Sequence, residues 1–182
     1  MDRQKILPMA KAVLVLAAIA LASGLLLGFF NILTYVDPLQ ATLDGFKEDS
    51  GAAGEFTMVV DEETASGSGS VLYYAVSTDG VHAFLAQGKG GYGGAVQIYV
   101  YIRDNKIYKI VEGENSETYM YKLDEANFYA WFLDKDVSSL NVSGADLVSG
   151  ATKSSTAVRS AIDAAVTYHN ANAAGGESNG QG

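Results

Sequence analysis

An uncharged apolar segment stands out in the first part of the chain. No charged residue occurs between Ala12 and Val36, a stretch longer than the ~20 residues that a helix needs to cross a bilayer core. The pattern therefore predicts one membrane-spanning helix. A cleaved signal peptide is the alternative, but its apolar region usually has only about 7 to 15 residues.

Charged residues are distributed unevenly around this segment. Arg3, Lys5 and Lys11 precede it, whereas Asp37 and Asp44 follow it. Because basic flanking residues stay in the cytoplasm, this bias predicts a cytoplasmic N-terminus and an extracytoplasmic domain. The predicted organisation is a cytoplasmic segment at 1–11, a transmembrane helix at 12–36, an extracytoplasmic domain at 37–172 and a disordered tail at 173–182, which is rich in Gly, Asn and Ser.

Downstream of this segment, alternating apolar and polar residues predict β-strands. Residues 71–77 and 81–87 flank an Asp-Gly turn, which supplies the positive φ angles of a tight hairpin. Residues 95–103 and 106–112 predict two further strands. The period of two across the first of these indicates a half-buried strand. One face would carry Val96, Ile98, Val100 and Ile102, and the other would carry Gln97, Tyr99, Tyr101 and Arg103.

Two segments have a helical pattern instead. Residues 124–133 predict a short helix, and residues 155–170 predict a longer C-terminal helix with one apolar stripe. Strands beside segregated helices indicate an α+β domain with antiparallel hairpins. The predicted stripe consists of Val158, Ile162, Ala165 and Val166.

The composition excludes several kinds of chemistry. The formal charge is -9, whereas a nucleic-acid partner calls for a basic face. The chain contains no cysteine, which excludes disulfides, thiolate zinc sites and iron–sulfur clusters. His82 and His169 are isolated in the sequence and do not indicate a metal site. Any redox chemistry therefore needs an organic cofactor.

The most informative motif directly precedes the predicted C-terminal helix. It reads Asp146-Leu147-Val148-Ser149-Gly150-Ala151-Thr152. A helix N-terminus offers unpaired backbone N–H groups to a phosphate, and small residues let the phosphate approach. The motif resembles that of the FMN-binding domain family, in which Asp-x-x-Ser/Thr-Gly-Ala-Thr marks the threonine joined to the FMN phosphate. This family includes an FMN-carrying component of Rnf electron transport complexes and the related component of the sodium-translocating NADH:quinone oxidoreductase.

The resemblance extends along the whole chain, from the basic N-terminus and single anchor to a Gly-rich loop, a Glu-Thr pair and the final motif. One departure concerns residues 117–122. The family often has Glu-Thr-Pro-Gly-Leu-Gly there, whereas this chain has Glu117-Thr118 followed by Tyr119-Met120-Tyr121-Lys122. The Glu-Thr pair therefore aligns, but the following turn does not.

The resemblance implies one FMN per chain, esterified to Thr152 by an ApbE-type flavin transferase that takes FMN from FAD. It also places the Gly-rich loop at residues 88–94 near the flavin. That loop precedes a strand and is not a nucleotide-binding P-loop, which would open a helix. The further cofactor-binding residues predicted in this way are Asp146, Ser149, Gly150, Ala151, Glu117, Thr118 and Tyr92.

Two alternatives stay open at the level of single motifs. The Ser-Gly-Ala-Thr segment has the composition of an ordinary turn and helix cap. The aromatic cluster at residues 128–132 is either a flavin-stacking face or simply core. The cluster comprises Phe128, Tyr129, Trp131 and Phe132.

The sequence as a whole predicts an electron-carrier subunit of an ion-translocating Rnf-type ferredoxin:NAD oxidoreductase. Such a chain has no catalytic residues of its own and relays electrons between the other subunits of a membrane complex. Three alternatives remain: the related FMN-carrying component of the sodium-translocating NADH:quinone oxidoreductase, a standalone flavinylated extracellular electron-transfer protein, and a non-redox membrane-anchored binding module.

Overall fold

The computed structural model describes residues 3–35 and 37–173. Apart from Ala173, the predicted tail at 173–182 lies outside the described residues. The chain divides into two compact units, residues 1–40 and residues 41–182.

The first unit is built on one long helix. Helix α1, Arg3–Thr34, has 32 residues. A helix of that length measures about 48 Å, which exceeds the ~30 Å hydrocarbon core of a bilayer. From residue 11 onward its apolar side chains are exposed; Leu25, for example, is 74% exposed. Within the described residues, one helix is long and apolar enough to cross a membrane. Signal sequences share these properties, so retention in the membrane and orientation stay predictions.

The second unit is built around a six-stranded antiparallel sheet. Its strands are β1 (Phe56–Val60), β2 (Thr64–Ser66), β3 (Gly69–Ser77), β4 (His82–Gly88), β5 (Val96–Arg103) and β6 (Lys106–Glu112). The order across the sheet is β1, β3, β4, β5, β6, and β2 pairs with the start of β3. The predicted hairpin is confirmed as β3 and β4, and the two strands predicted after it are confirmed as β5 and β6.

The C-terminal helix covers one face of this sheet. Helix α4, Thr152–Ala173, begins three residues earlier than predicted and packs against β3, β4 and β5. All four residues of the predicted apolar stripe are buried. The helix lies very close to the sheet at Gly88, where a Cβ atom would lie only 1.7 Å from the carbonyl oxygen of Ala157. A residue with a side chain at this position would therefore push the helix away.

A second helix covers the opposite face and makes β5 more buried than expected. Helix α2, Pro38–Ser50, was not predicted from the sequence. Its Phe46 is fully buried, and the ring centroid lies 6.2 Å from that of Tyr101. The prediction of a half-buried strand was therefore wrong at Tyr101, which is fully buried because α2 packs over it.

The segment predicted as a short helix at 124–133 has a different structure. Helix α3 covers Tyr121–Glu125, and a separate 3₁₀ turn covers Phe128–Trp131. Asn127 lies between them with a φ of 52°, and this left-handed conformation interrupts the helical path. The segment packs Phe128 and Phe132 into the core beneath α4, with ring centroids 5.4 Å apart.

The two histidines, isolated in the sequence, meet in the fold. His82 on β4 and His169 on α4 have ring centroids 4.7 Å apart, and His82 Nδ1 lies 2.8 Å from the hydroxyl oxygen of Tyr74. Burial, together with a smaller contribution from the neighbouring His82, lowers the pKa of His169 to about 4. Burial also lowers the pKa of His82. Both rings therefore favour the neutral form.

We expect the second unit, residues 41–182, to lose stability as the pH falls from about 6.5 to about 4. An unfolded histidine binds a proton near pH 6.5, whereas folded His169 does so only near pH 4, so protons favour the unfolded chain in this window. The expected loss is about 2 kcal/mol. Urea unfolding at pH 7 and pH 4.5, for wild type and His169→Phe, measures it. An identical pH dependence in both proteins would contradict this assignment.

Candidate functional site

The Ser-Gly-Ala-Thr motif forms a tight turn that leads into α4. Gly150 has a φ of 76°, which side-chain-bearing residues rarely adopt. Ala151 is buried, and its carbonyl oxygen accepts hydrogen bonds from the N–H and the hydroxyl of Ser155, each at 2.9 Å. The N–H of Val148 donates to the Ser155 hydroxyl at 3.2 Å. These bonds hold the turn against the helix and make Thr152 the first helical residue.

The side chain of Thr152 is exposed at the start of α4. Among the described residues its hydroxyl has no hydrogen-bond partner, although its carbonyl oxygen accepts from Thr156 and Ser155. A capping threonine would use its hydroxyl on the backbone of the first turn. The geometry therefore does not support the alternative in which Thr152 caps the helix.

The N-terminal end of α4 carries positive charge that nothing on the helix neutralises. Its first turn contains no acidic residue, and Lys153 is the second residue of the helix. Acidic residues are the usual stabilising choice at this position, because the first N–H groups are unpaired and the dipole is positive there. This end of α4 is therefore electrostatically suited to an anion.

Glu117 joins the Gly-rich loop to this end of α4. Its Oε1 accepts a hydrogen bond from the N–H of Gly93, and its Oε2 accepts one from the hydroxyl of Ser154. The N–H of Glu117 donates to Asn115 Oδ1 at 3.1 Å. A Cβ atom on Gly91 would lie 2.5 Å from Glu117 Oε1, so the loop needs glycine to approach this closely. The predicted Glu117 is thus a structural link beside Thr152.

Two other predicted site residues, Tyr92 and Thr118, take no part in the hydrogen bonds of Glu117. Tyr92 is 79% exposed, and its ring centroid lies 5.6 Å from Lys153 Nζ. Thr118 is exposed and makes no side-chain hydrogen bond to another described residue. Their contact with a cofactor stays a prediction.

A cavity of about 660 Å³ lies beside the motif turn. Asp146 and Ser149 line it with polar atoms, and Phe128, Trp131 and Val148 contribute apolar surface. The aromatic cluster is therefore divided between residues buried in the core and residues that are only half-buried. Phe128 and Phe132 are core residues, Trp131 is half-buried at the cavity, and the Tyr129 hydroxyl donates to Glu112 at 2.6 Å.

Lys122 is the site residue that the sequence analysis missed. Its Nζ lies 2.8 Å from the point where a Cβ on Gly150 would be, and it also lines the cavity. The ammonium lies 5.0 Å from the ring centroid of Tyr119, and within the described residues it forms no ion pair. The only signal in the sequence was the departure from the family pattern at residues 119–122.

The fold and the site together define an α+β domain in which the positive end of a helix lies beside a partly apolar cavity. Residues 91–167 match the family model described as FMN-binding domain. The match includes most of the Gly-rich loop, the Glu117 segment, the motif and most of α4. It supports FMN as the cofactor and a redox role for the domain. No curated protein and no solved structure matches the chain.

The residues of the site fit FMN. The turn at Gly150 presents no side chain beside the Lys122 ammonium, and the exposed Thr152 hydroxyl lies at the helix end suited to a phosphate. The neighbouring cavity falls within the usual range of small-molecule sites, about 300 to 1,000 Å³, and presents aromatic surface from Trp131.

We expect Glu117→Ala to destabilise the second unit by about 1 to 3 kcal/mol, because it leaves Ser154 and Gly93 without their charged acceptor. Urea unfolding of the full chain in detergent measures the change. Glu114→Ala is the matched control, since it removes an exposed acid of the same segment. Equal stability of the two variants would refute the linking role.

Proposed function

We propose that this chain is a membrane-anchored electron-carrier flavoprotein with FMN joined to Thr152 through a phosphoester. The observation that carries the proposal is the exposed Thr152 hydroxyl at the positive end of α4, inside the region that matches the FMN-binding domain. It forms no hydrogen bond to any residue that the structure describes. A structural threonine at a helix start would use this hydroxyl locally.

Attachment requires a flavin donor and an enzyme, because no general base lies in contact with the Thr152 hydroxyl among the described residues. In the proposed step a transferase of the ApbE type acts on FAD. The threonine oxygen forms a bond to the flavin-side phosphorus, the bond between the two phosphates breaks, AMP leaves, and the hydroxyl proton passes to a base of the transferase. The flavin ring is unchanged by this step.

The chain's own residues then hold the cofactor and have no further substrate. Bound FMN supplies one- and two-electron transfer, and the protein positions it. The N-terminal end of α4 would hold the phosphate, and the cavity lined by Trp131 would exclude water from one side of the ring. Helix α1 would anchor the domain in the membrane with its N-terminus in the cytoplasm.

We expect the full chain, produced with a flavin transferase and extracted from membranes, to gain the mass of one FMN less water, about 438 Da. The adduct should survive denaturation and fluoresce in a gel. Thr152→Ala should lose both signals completely, because it removes the hydroxyl oxygen that forms the bond to phosphorus.

Thr167→Ala serves as the control, because it removes an exposed threonine farther along the same helix and should keep the adduct. If wild type gains no mass in cells with an active transferase, the covalent proposal fails. The non-redox binding module would then be the better account.

We further propose that the chain works in an Rnf-type complex, on the strength of its order of elements: a basic N-terminus, a single apolar helix, a Gly-rich loop and the C-terminal motif. Purification of the tagged chain from its native membranes should yield additional subunits and ferredoxin:NAD oxidoreductase activity. NADH:quinone activity would assign it to the other complex instead. Recovery of the flavinylated chain alone would indicate a standalone carrier.

A further inference from the structure

Lys122 holds a position that the proposed attachment of FMN does not by itself explain. It is half-buried near the start of α3, yet its ammonium reaches across to the motif turn and lies against Gly150, two residues before Thr152. The contact joins segments 28 residues apart in the chain. A lysine side chain loses substantial conformational entropy when it is held in this way.

Lys122 forms no ion pair with an acidic side chain among the described residues. The two ion pairs among the described residues are Lys47–Glu55 and Arg103–Asp79, and neither includes Lys122. Glu125 and Asp146 line the same cavity as Lys122 but form no ion pair with it, and both oxygens of Glu117 accept hydrogen bonds from Gly93 and Ser154. Lys122 instead lies over the ring of Tyr119, which is a weak partner for a cation that is only half-buried.

We propose that the Lys122 ammonium binds the phosphodiester that joins FMN to Thr152, and so fixes the tether at the mouth of the cavity. This inference rests on the proposed function. The site would then combine an ammonium donor on one side of the phosphate with the unpaired N–H groups of α4 on the other. Gly150 permits the arrangement, since a Cβ at that position would lie 2.8 Å from the lysine nitrogen.

The proposal predicts an energetic coupling between Lys122 and the phosphodiester, which a four-protein cycle measures. Wild type and Lys122→Gln are each produced with and without the flavin transferase, and loading is verified by intact mass. Thermal unfolding of the full chain in detergent is then followed by circular dichroism. Both unloaded proteins should melt within about 1 °C of each other, whereas loading should raise the Tm of wild type by about 4 °C more than that of the variant.

Three further measurements sharpen this result. The coupling should shrink in ~1 M salt, because screening weakens a pair that is partly exposed. Lys122→Arg should restore most of it, since arginine also binds phosphate. The fluorescence anisotropy of the attached flavin should fall in Lys122→Gln, because the tether loses one of its two anchors.

Lys106→Gln is the matched control, because it removes the same charge from an exposed position on β6, outside the site, and should leave the coupling unchanged. An equal gain in Tm on loading for wild type and Lys122→Gln overturns the role of Lys122 while leaving the Thr152 attachment intact. Wild type without an adduct overturns both. If unloaded Lys122→Gln melts much lower than wild type, Lys122→Met, which retains the apolar stem, replaces it in the cycle.

Discussion

The close contact between α4 and the sheet is the constraint on which the rest of the second unit depends. At Gly88 and Gly69 the strands carry no side chain where the helix backbone passes, and a Cβ at either position would meet a carbonyl oxygen of α4 at 2.8 Å or less. The helix can therefore lie almost directly on the strands. Thr152 occupies its place because it begins a 22-residue helix that is packed in this way, and no flexible loop is needed to present it.

The charge distribution at the N-terminal end of α4 differs from that of the chain as a whole. The protein is strongly acidic, with a formal charge of -9, yet the N-terminal end of α4 combines the positive end of the helix dipole with Lys122 and Lys153. Glu117 also reaches this end, where its carboxylate accepts hydrogen bonds from the Ser154 hydroxyl and the Gly93 N–H. The positive end of α4 and the two lysines therefore share the site with one hydrogen-bonded carboxylate.

The sequence predicted those elements whose pattern is strong and local. The hairpin of β3 and β4 and the stripe on α4 follow directly from periodicity and turn chemistry. Helix α2 was missed because only Leu39, Leu43 and Phe46 mark its apolar face within a polar segment. The contact of Lys122 with Gly150 and the pairing of the two histidines arise from tertiary packing, which joins residues that no local pattern relates. The Thr152 motif was found because of its resemblance to a known family, and a turn signal alone would have left its role open.

The packing of α4 also bears on how electrons would reach and leave the cofactor. A group attached to the first turn of a helix that is held along its length against four strands shares the rigid-body motion of the sheet. It cannot swing between distant sites in the way that a carrier on a long flexible arm does. With the phosphoester proposed here, the distance over which an electron moves would be set by how the whole domain docks against its neighbours, and a change of redox partner would require a reorientation of the domain.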